Sequence, residues 1–379
     1  MDKRLTAEHG IVCRLAGERL GYFGWPTVAR LPDGTLLVVS SGLRTQHVCP
    51  WGKGVLNVST DDGRTWSPPR VIHDTPLDDR DGGILSLGGR KLLTAWFTED
   101  TRPFAGDGHW WSDLIGPEEF NRWHDTMDAW TEATVKQWLG SWVALSEDGG
   151  ASWGQPIRVP VNTPHGPILL RNGELLYLGK RFLLGMEDIS TGPILSAYSS
   201  DGGLTWDWRG QVPTVPGTFS GSYHEPHVLE LPSGKLVGMI RVEDWGPKDP
   251  QGRTPFQWMG IPPFSIMQTD SPDGGRTWSV PKPLGFHGSP PHLMRHSSGV
   301  ILLTYGYRQA PFGQRVAFSR DDGATWEHDW IIRDDGPDFD LGYPSTVELG
   351  DGGLLTVCYQ KVAANEKCSL LWSRWRLPA

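Results

Sequence analysis

The sequence predicts an all-β chain: a six-bladed β-propeller of four-stranded antiparallel blades with a helical insertion in blade two. Three observations predict it. An eight-residue pattern, Ser-x-Asp-x-Gly-x-x-Trp, occurs five times. A second pattern of strand, tight turn and strand occurs six times between those copies. The N-terminal segment offers one strand more, and the last blade is one strand short. Internal repeats of this kind mark arrays of one supersecondary unit.

The first pattern reads STDDGRTW from Ser59, SEDGGASW from Ser146, SSDGGLTW from Ser199, SPDGGRTW from Ser271 and SRDDGATW from Ser319. Its physics is that of a hairpin turn. Asp accepts hydrogen bonds from its own turn, Gly supplies positive φ, and Trp covers the turn with a large ring. These Asp residues are therefore structural. The second pattern begins at Pro26, Gly82, Pro164, Pro226, Pro291 and Pro344, as in PTVARLPDGTLLVV and PHVLELPSGKLVGMI. Each copy joins a following Asp hairpin except the last, where CSLLWSRWRL ends the series. The segment GIVCRLAG from Gly10 then supplies the fourth strand of blade six and closes the ring, which removes exposed strand edges. The whole chain, 1–379, reads as a single domain.

One segment breaks the pattern. At about 112–140, Phe120, Trp123, Met127, Trp130, Val135 and Trp138 approach helical spacing. One or two helices are expected there, as a buttress on the propeller or as a wall over a site.

Composition excludes several classes. With 38% hydrophobic and 11% aromatic residues, 20 of them Trp, the chain is built for a packed core. No apolar run approaches the roughly 18 residues of a membrane helix. A net charge of −9 argues against a nucleic-acid surface. The four Cys lack metal-site spacing, no metal or cofactor is expected, and reduced thiols are expected. The start MDKRLTAEHG has no apolar h-region, so the expected location is cytoplasmic. Oligomeric state is not legible.

Chain alternation places the candidate site. The turns inside both patterns lie at one end of each blade, so the other end collects the loops entering strand one and those leaving strand two. Residues just before strand one form a ring: Trp25, Asp81, Thr163, Glu225, Pro290 and Tyr343. Strand-two exits add Arg44 with His47, Glu99, Lys180 with Arg181, Arg241, Tyr307 with Arg308, and Gln360. Arginines beside carboxylates and a Tyr suit an anionic sugar, since Arg pairs bidentately with a carboxylate, and Trp25 offers a ring for stacking. Each has a bland alternative. Glu225 pairs Arg241, Asp81 forms a turn, Arg80 pairs with Asp78 and Asp79, Tyr343 is a core aromatic, and His47, His224, His227 and His292 are structural.

These residues resemble the sialidases (neuraminidases). The Asp hairpins look like the Asp boxes, or BNR repeats, of that superfamily, over essentially the whole chain outside the insertion. The resemblance implies an exo-acting glycoside hydrolase that releases a terminal sialic acid or related acidic sugar from a glycan. Tyr343, in LGYPSTVEL, resembles the nucleophile. Glu225 resembles the catalytic Glu that takes its proton. Arg241 and Arg308 resemble two members of the carboxylate-binding arginine triad, with Arg315 competing for the place of Arg308. Asp81 stands in the place of a substrate-contacting Asp. Two departures go with this. The Arg-Ile-Pro motif that carries the first triad arginine reads Gly24-Trp25-Pro26 here, and the following loop, GLRTQHVCPWGKG, has no acidic residue to act as acid/base. Arg44 is the expected substitute for the arginine. Asp81, Asp79 or His47 is the expected acid/base, and Trp25, His47 and Tyr307 complete the substrate-binding set. The alternatives are a hydrolase or lyase for another acidic sugar such as a uronate, a glycan-binding propeller without catalysis, and a structural or partner-binding propeller.

Overall fold

A computed structural model describes residues 3–105, 115–182 and 192–378. They form six antiparallel sheets arranged as the blades of a propeller. Blade one is Tyr22–Arg30, Leu36–Arg44, Lys53–Ser59 and Arg70–His73. Blade two is Asp78–Gly88, Lys91–Glu99, Gly140–Ser146 and Ile157–Val159. Blades four and five have the same four-stranded order. In blade three the innermost strand is broken into Val161–Asn162 and Ile168–Leu169, both paired with Leu175–Arg181. Pro164 and Pro167 lie in the break, where a missing N–H cannot continue a ladder.

Blade six closes the ring. Its strands Gly342–Glu348, Leu354–Gln360 and Ser369–Trp375 are completed by Ala7–Cys13, with Ala7 opposite Trp375 and Ile11 opposite Leu371. The strand that completes the last blade thus comes from the other end of the chain.

The Asp boxes are built alike. In the first, Ser59 Oγ donates to Asp61 Oδ1 at 2.8 Å and accepts from Gly63 N at 3.0 Å. Asp61 accepts from the Thr65 amide and hydroxyl at 2.9 and 2.6 Å, and Trp66 Nε1 donates to the Gly63 carbonyl. Asp201 and Asp321 repeat this with Thr205 and Thr325. These donors hold the Asp61, Asp201 and Asp321 carboxyls down at about 2.

Among the described residues, two α-helices lie between the second and third strands of blade two: α1 (Pro117–Met127) and α2 (Glu132–Trp138). Pro117 opens α1 with Glu118 and Glu119 in the first turn, where the helix dipole favours acids. Thr131 caps α2 by accepting from Thr134 N. Trp123, Met127, Trp130 and Val135 pack on Val48, Cys49 and Leu77. The helices therefore brace the loop that leaves the second strand of blade one. Residues 112–114 of the expected insertion lie outside the described residues.

Candidate active site

One backbone device recurs in four blades. The innermost strand of each carries a β-bulge where it enters the sheet. The register slips by one residue between Gly24 and Thr27, Arg80 and Gly83, His224 and His227, and Gly342 and Ser345. The residues at these bulges are Trp25, Asp81, Glu225 and Tyr343, with φ of 54°, 55°, 43° and 51°. A bulge re-aims a side chain out of the strand's alternation. Positive φ at a non-glycine residue costs about 1–3 kcal/mol and persists where the surroundings enforce it. The neighbours enforce it here: each is followed by Pro or Gly, and a Cβ on Gly82 would come within 2.6 Å of the Ser40 backbone.

Glu225, Tyr343 and Arg241 form one hydrogen-bonded group. Tyr343 Oη donates to Glu225 Oε1 at 2.5 Å. Arg241 Nη1 donates to Glu225 Oε2 at 2.5 Å and to Tyr343 Oη at 3.1 Å. Arg241 Nη2 also pairs with Glu243. Burial and the Glu225 charge push the Tyr343 phenol well above its ordinary value, against the pull of Arg241. Arg308 lies 5.9 Å from the Tyr343 ring centre and donates from Nε to the Leu341 carbonyl. Arg315, its competitor, is held by the Arg333 and Pro311 carbonyls and stacks on Tyr307. The structure thus places Arg308 beside the Tyr–Glu pair.

On the blade-one side the geometry corrects three expectations. Arg44 is fully buried and every nitrogen is engaged: Nη1 and Nη2 grip Asp78 at 2.5 and 2.8 Å, and Nε and Nη2 bond the Gln46 and His47 carbonyls. It has no donor left for a ligand carboxylate, so it does not replace the missing arginine. Asp79 is also fully buried and accepts from the Thr75 amide and hydroxyl, so it cannot reach a leaving group. Trp25 is 1% exposed, with the Arg44 and Arg80 guanidinium carbons 4.9 and 4.6 Å from its ring. Buried and packed against two cations, it offers no open face for the stacking expected of it.

Asp81 contrasts with Asp79. Its carboxyl makes no hydrogen bond among the described residues, and burial followed by the nearby Glu225 charge pushes it up to about 8. His47 contacts Asp340 Oδ1 at 3.0 Å and the Tyr22 hydroxyl at 3.1 Å, beside the edge of Trp25. Burial lowers the His47 pKa although Asp340 opposes it. Tyr307 is grouped with Arg315 and His287.

The histidines follow their bland reading. His227 accepts from the Leu293 amide and His292 from the Thr346 amide, and the two rings stack at 4.6 Å. His224 lies 3.3 Å from Lys180 Nζ, which also donates to the Tyr223 carbonyl.

The BNR repeat-like domain family matches residues 120–357. The chain belongs to this family. No curated protein matches the sequence. Among solved structures, this BNR-repeat protein is similar to a protein of unknown function from Dyadobacter fermentans DSM 18053, at 23% identity over 99% of each chain with a TM-score of 0.73. It is similar to the Trypanosoma rangeli sialidase in complex with sialic acid at 17% identity and TM-score 0.63, covering 98% of this chain and 59% of that one. The intramolecular trans-sialidase from Ruminococcus gnavus matches at 16% identity over 97% of each chain, with a TM-score of 0.61. At these identities the likeness establishes the sialidase-type propeller.

Three residues of the BNR-repeat site escaped the sequence reading. Arg80 keeps an ion pair with Asp78 at 3.7 Å, as its neighbours suggest, but its hydrogen bond goes to Glu99 at 2.6 Å and its guanidinium lies over Trp25. Glu243, two residues beyond Arg241 and just past the end of its strand, grips the same guanidinium, and the spacing of two is the available signal. Asp340, three residues before Tyr343, gathers His47 and the Tyr22 and Tyr359 hydroxyls, partners that no local pattern reveals.

Proposed function

We propose that the protein is an exo-acting, sialidase-like glycoside hydrolase that releases a terminal acidic sugar, a sialic acid or related nonulosonic acid, from a glycan. The 2.5 Å hydrogen bond from Tyr343 Oη to Glu225 carries the reading. A buried phenol is a poor nucleophile until a base takes its proton, and Glu225 is in place to do so. A neutral Tyr approaches an anionic sugar without the repulsion a carboxylate nucleophile would meet. Tyr343 Oη attacks the anomeric carbon while its proton passes to Glu225. Arg241 Nη1, 3.1 Å from the same oxygen, stabilises the charge that develops there. Asp81, protonated near neutral pH, gives its proton to the leaving oxygen. In the second step Asp81 takes a proton from water, which displaces Tyr343, and Glu225 returns its proton to the phenol. Arg241 and Arg308 receive the sugar carboxylate.

The test is turnover of an aryl sialoside. Tyr343→Phe and Glu225→Gln are each expected to lose most of the rate with unchanged thermal unfolding. Wild-type rates in both would refute the assignment. A second reading, a hydrolase or lyase for a uronate, is favoured by Gly24 and by the carboxylate-free loop that follows blade one's second strand. Turnover of aryl uronides, or an absorbing unsaturated sugar product, with no action on sialosides, decides for it. Binding without turnover decides for a glycan-binding propeller.

A further inference from the structure

Arg80 is buried beside the site with most of its donors unspent. Its side chain is 11% exposed, Nη1 bonds Glu99 Oε2 at 2.6 Å, and Asp78 Oδ2 is 3.7 Å away. Nε is buried without a hydrogen-bond partner, and Nη2 makes no hydrogen bond among the described residues. Arg44, packed on the same indole, shows what a purely structural arginine looks like here, with each nitrogen bonded. An unsatisfied donor on a buried group is costly, so Arg80 is poised for an acceptor that is not part of the chain.

The acceptor's chemistry follows from the charges around it. Arg241 already carries two carboxylates, Glu225 and Glu243. Arg80 is hydrogen-bonded to one carboxylate, Glu99, and the second within 4 Å, Asp78, is already gripped by Arg44. Arg80 lies 4.6 Å from the Trp25 ring centre, and that ring is 6.3 Å from the ring of Tyr343. One indole thus touches both the guanidinium and the ring of the reacting phenol, which puts Arg80 at the border of the site that Tyr343 faces. A side chain at position 24 would crowd its surroundings: a Cβ there would stand 3.3 Å from the Tyr22 ring, which would have to shift by a few tenths of an ångström.

We propose that Arg80 is a substrate-binding residue whose Nη2 takes a carboxylate oxygen of the acidic sugar, supplying from blade two the cation that blade one lacks. The assignment rests on the hydrolase reading above. Arg80 would then set specificity for an acid over its neutral counterpart, with Trp25 fixing the guanidinium by a cation–π contact and Glu99 by an ion pair.

The experiment compares Arg80→Gln and Arg80→Lys with wild type on an aryl glycoside of the acidic sugar and on its carboxamide. Loss of one charge-assisted hydrogen bond corresponds to a KM for the acid raised about tenfold to a hundredfold. The expected result for Arg80→Gln is that increase, with the carboxamide's KM changed less than threefold and kcat largely kept. Arg80→Lys, which keeps the charge and the fold, recovers part of the loss. An equal fall on acid and carboxamide overturns the proposal and makes Arg80 structural. So does an unchanged KM on the acid in Arg80→Gln. Calorimetric binding of the free sugar acid to Tyr343→Phe, with and without Arg80→Gln, reads the same contact without turnover. Wild type that neither binds nor cleaves an acidic sugar defeats the hydrolase reading and this assignment together, whereas active wild type with an unaffected Arg80→Gln defeats this assignment alone.

Discussion

Asp81→Asn tests the acid chemistry most sharply. An ordinary aspartic acid, with a pKa near 3.9, is protonated about once in a thousand molecules at pH 7. Burial and the Glu225 charge push Asp81 up to about 8, which leaves it about nine-tenths protonated at the same pH. The site thereby gains about a thousandfold in the protonated form that a general acid needs. Asn cannot give a proton, so the substitution is expected to cost about 10²–10⁴ in kcat/KM on a glycoside with an alkyl alcohol as leaving group. A nitrophenol leaves without protonation, so the loss on a nitrophenyl glycoside should be far smaller. The sign of the pH effect follows from the raised pKa. Wild-type kcat/KM should be level below pH 8 on this account and fall about tenfold per unit above it, as Asp81 loses its proton. The Asn variant should show no such limb. The measurement is kcat/KM against pH for both enzymes on both leaving groups. Equal losses on the two substrates, or an alkaline limb that survives in the variant, would refute the role of Asp81.

Two further outcomes follow from the packing. Arg44→Met strands the fully buried Asp78 carboxylate and should cost about 3–5 kcal/mol in denaturant unfolding, with much of it recovered on adding Asp78→Leu; a loss below 1 kcal/mol contradicts the buried pair as described. Trp123→Ala empties the seat of the inserted helices and should cost about 3–5 kcal/mol while raising KM, because the same cluster holds Val48 and Cys49 next to His47. An unchanged KM would show that the insertion does not brace the site.

The readable part of the molecule is the part whose interactions are local. Each Asp box spans eight residues, and the hydrogen bonds of its Ser and Asp stay within it, as those of Ser59 and Asp61 do with Gly63 and Thr65. Blade number, strand order and the closing strand followed from counting such units. Glu225, Arg241, Tyr343 and Arg308 were placed together because they occupy equivalent loop positions on one face. Alternation misled at the bulges. Arg80 and Asp79 flank the start of the blade-two bulge, and one extra residue decides which side chains enter the site and which stay in the sheet.

The sequence alone determined the propeller, the site-bearing face and the ring of residues around it, since turn chemistry and strand period are encoded within a few residues. Only the tertiary structure decided which charges are spent. Arg44 meets Asp78 across 34 positions, Tyr343 meets Glu225 across 118, and Arg80 meets its ring from the next blade. Those meetings depend on how the blades close around the axis, and burial there turns two acids only two residues apart into a fixed structural acceptor, Asp79, and a free acid, Asp81.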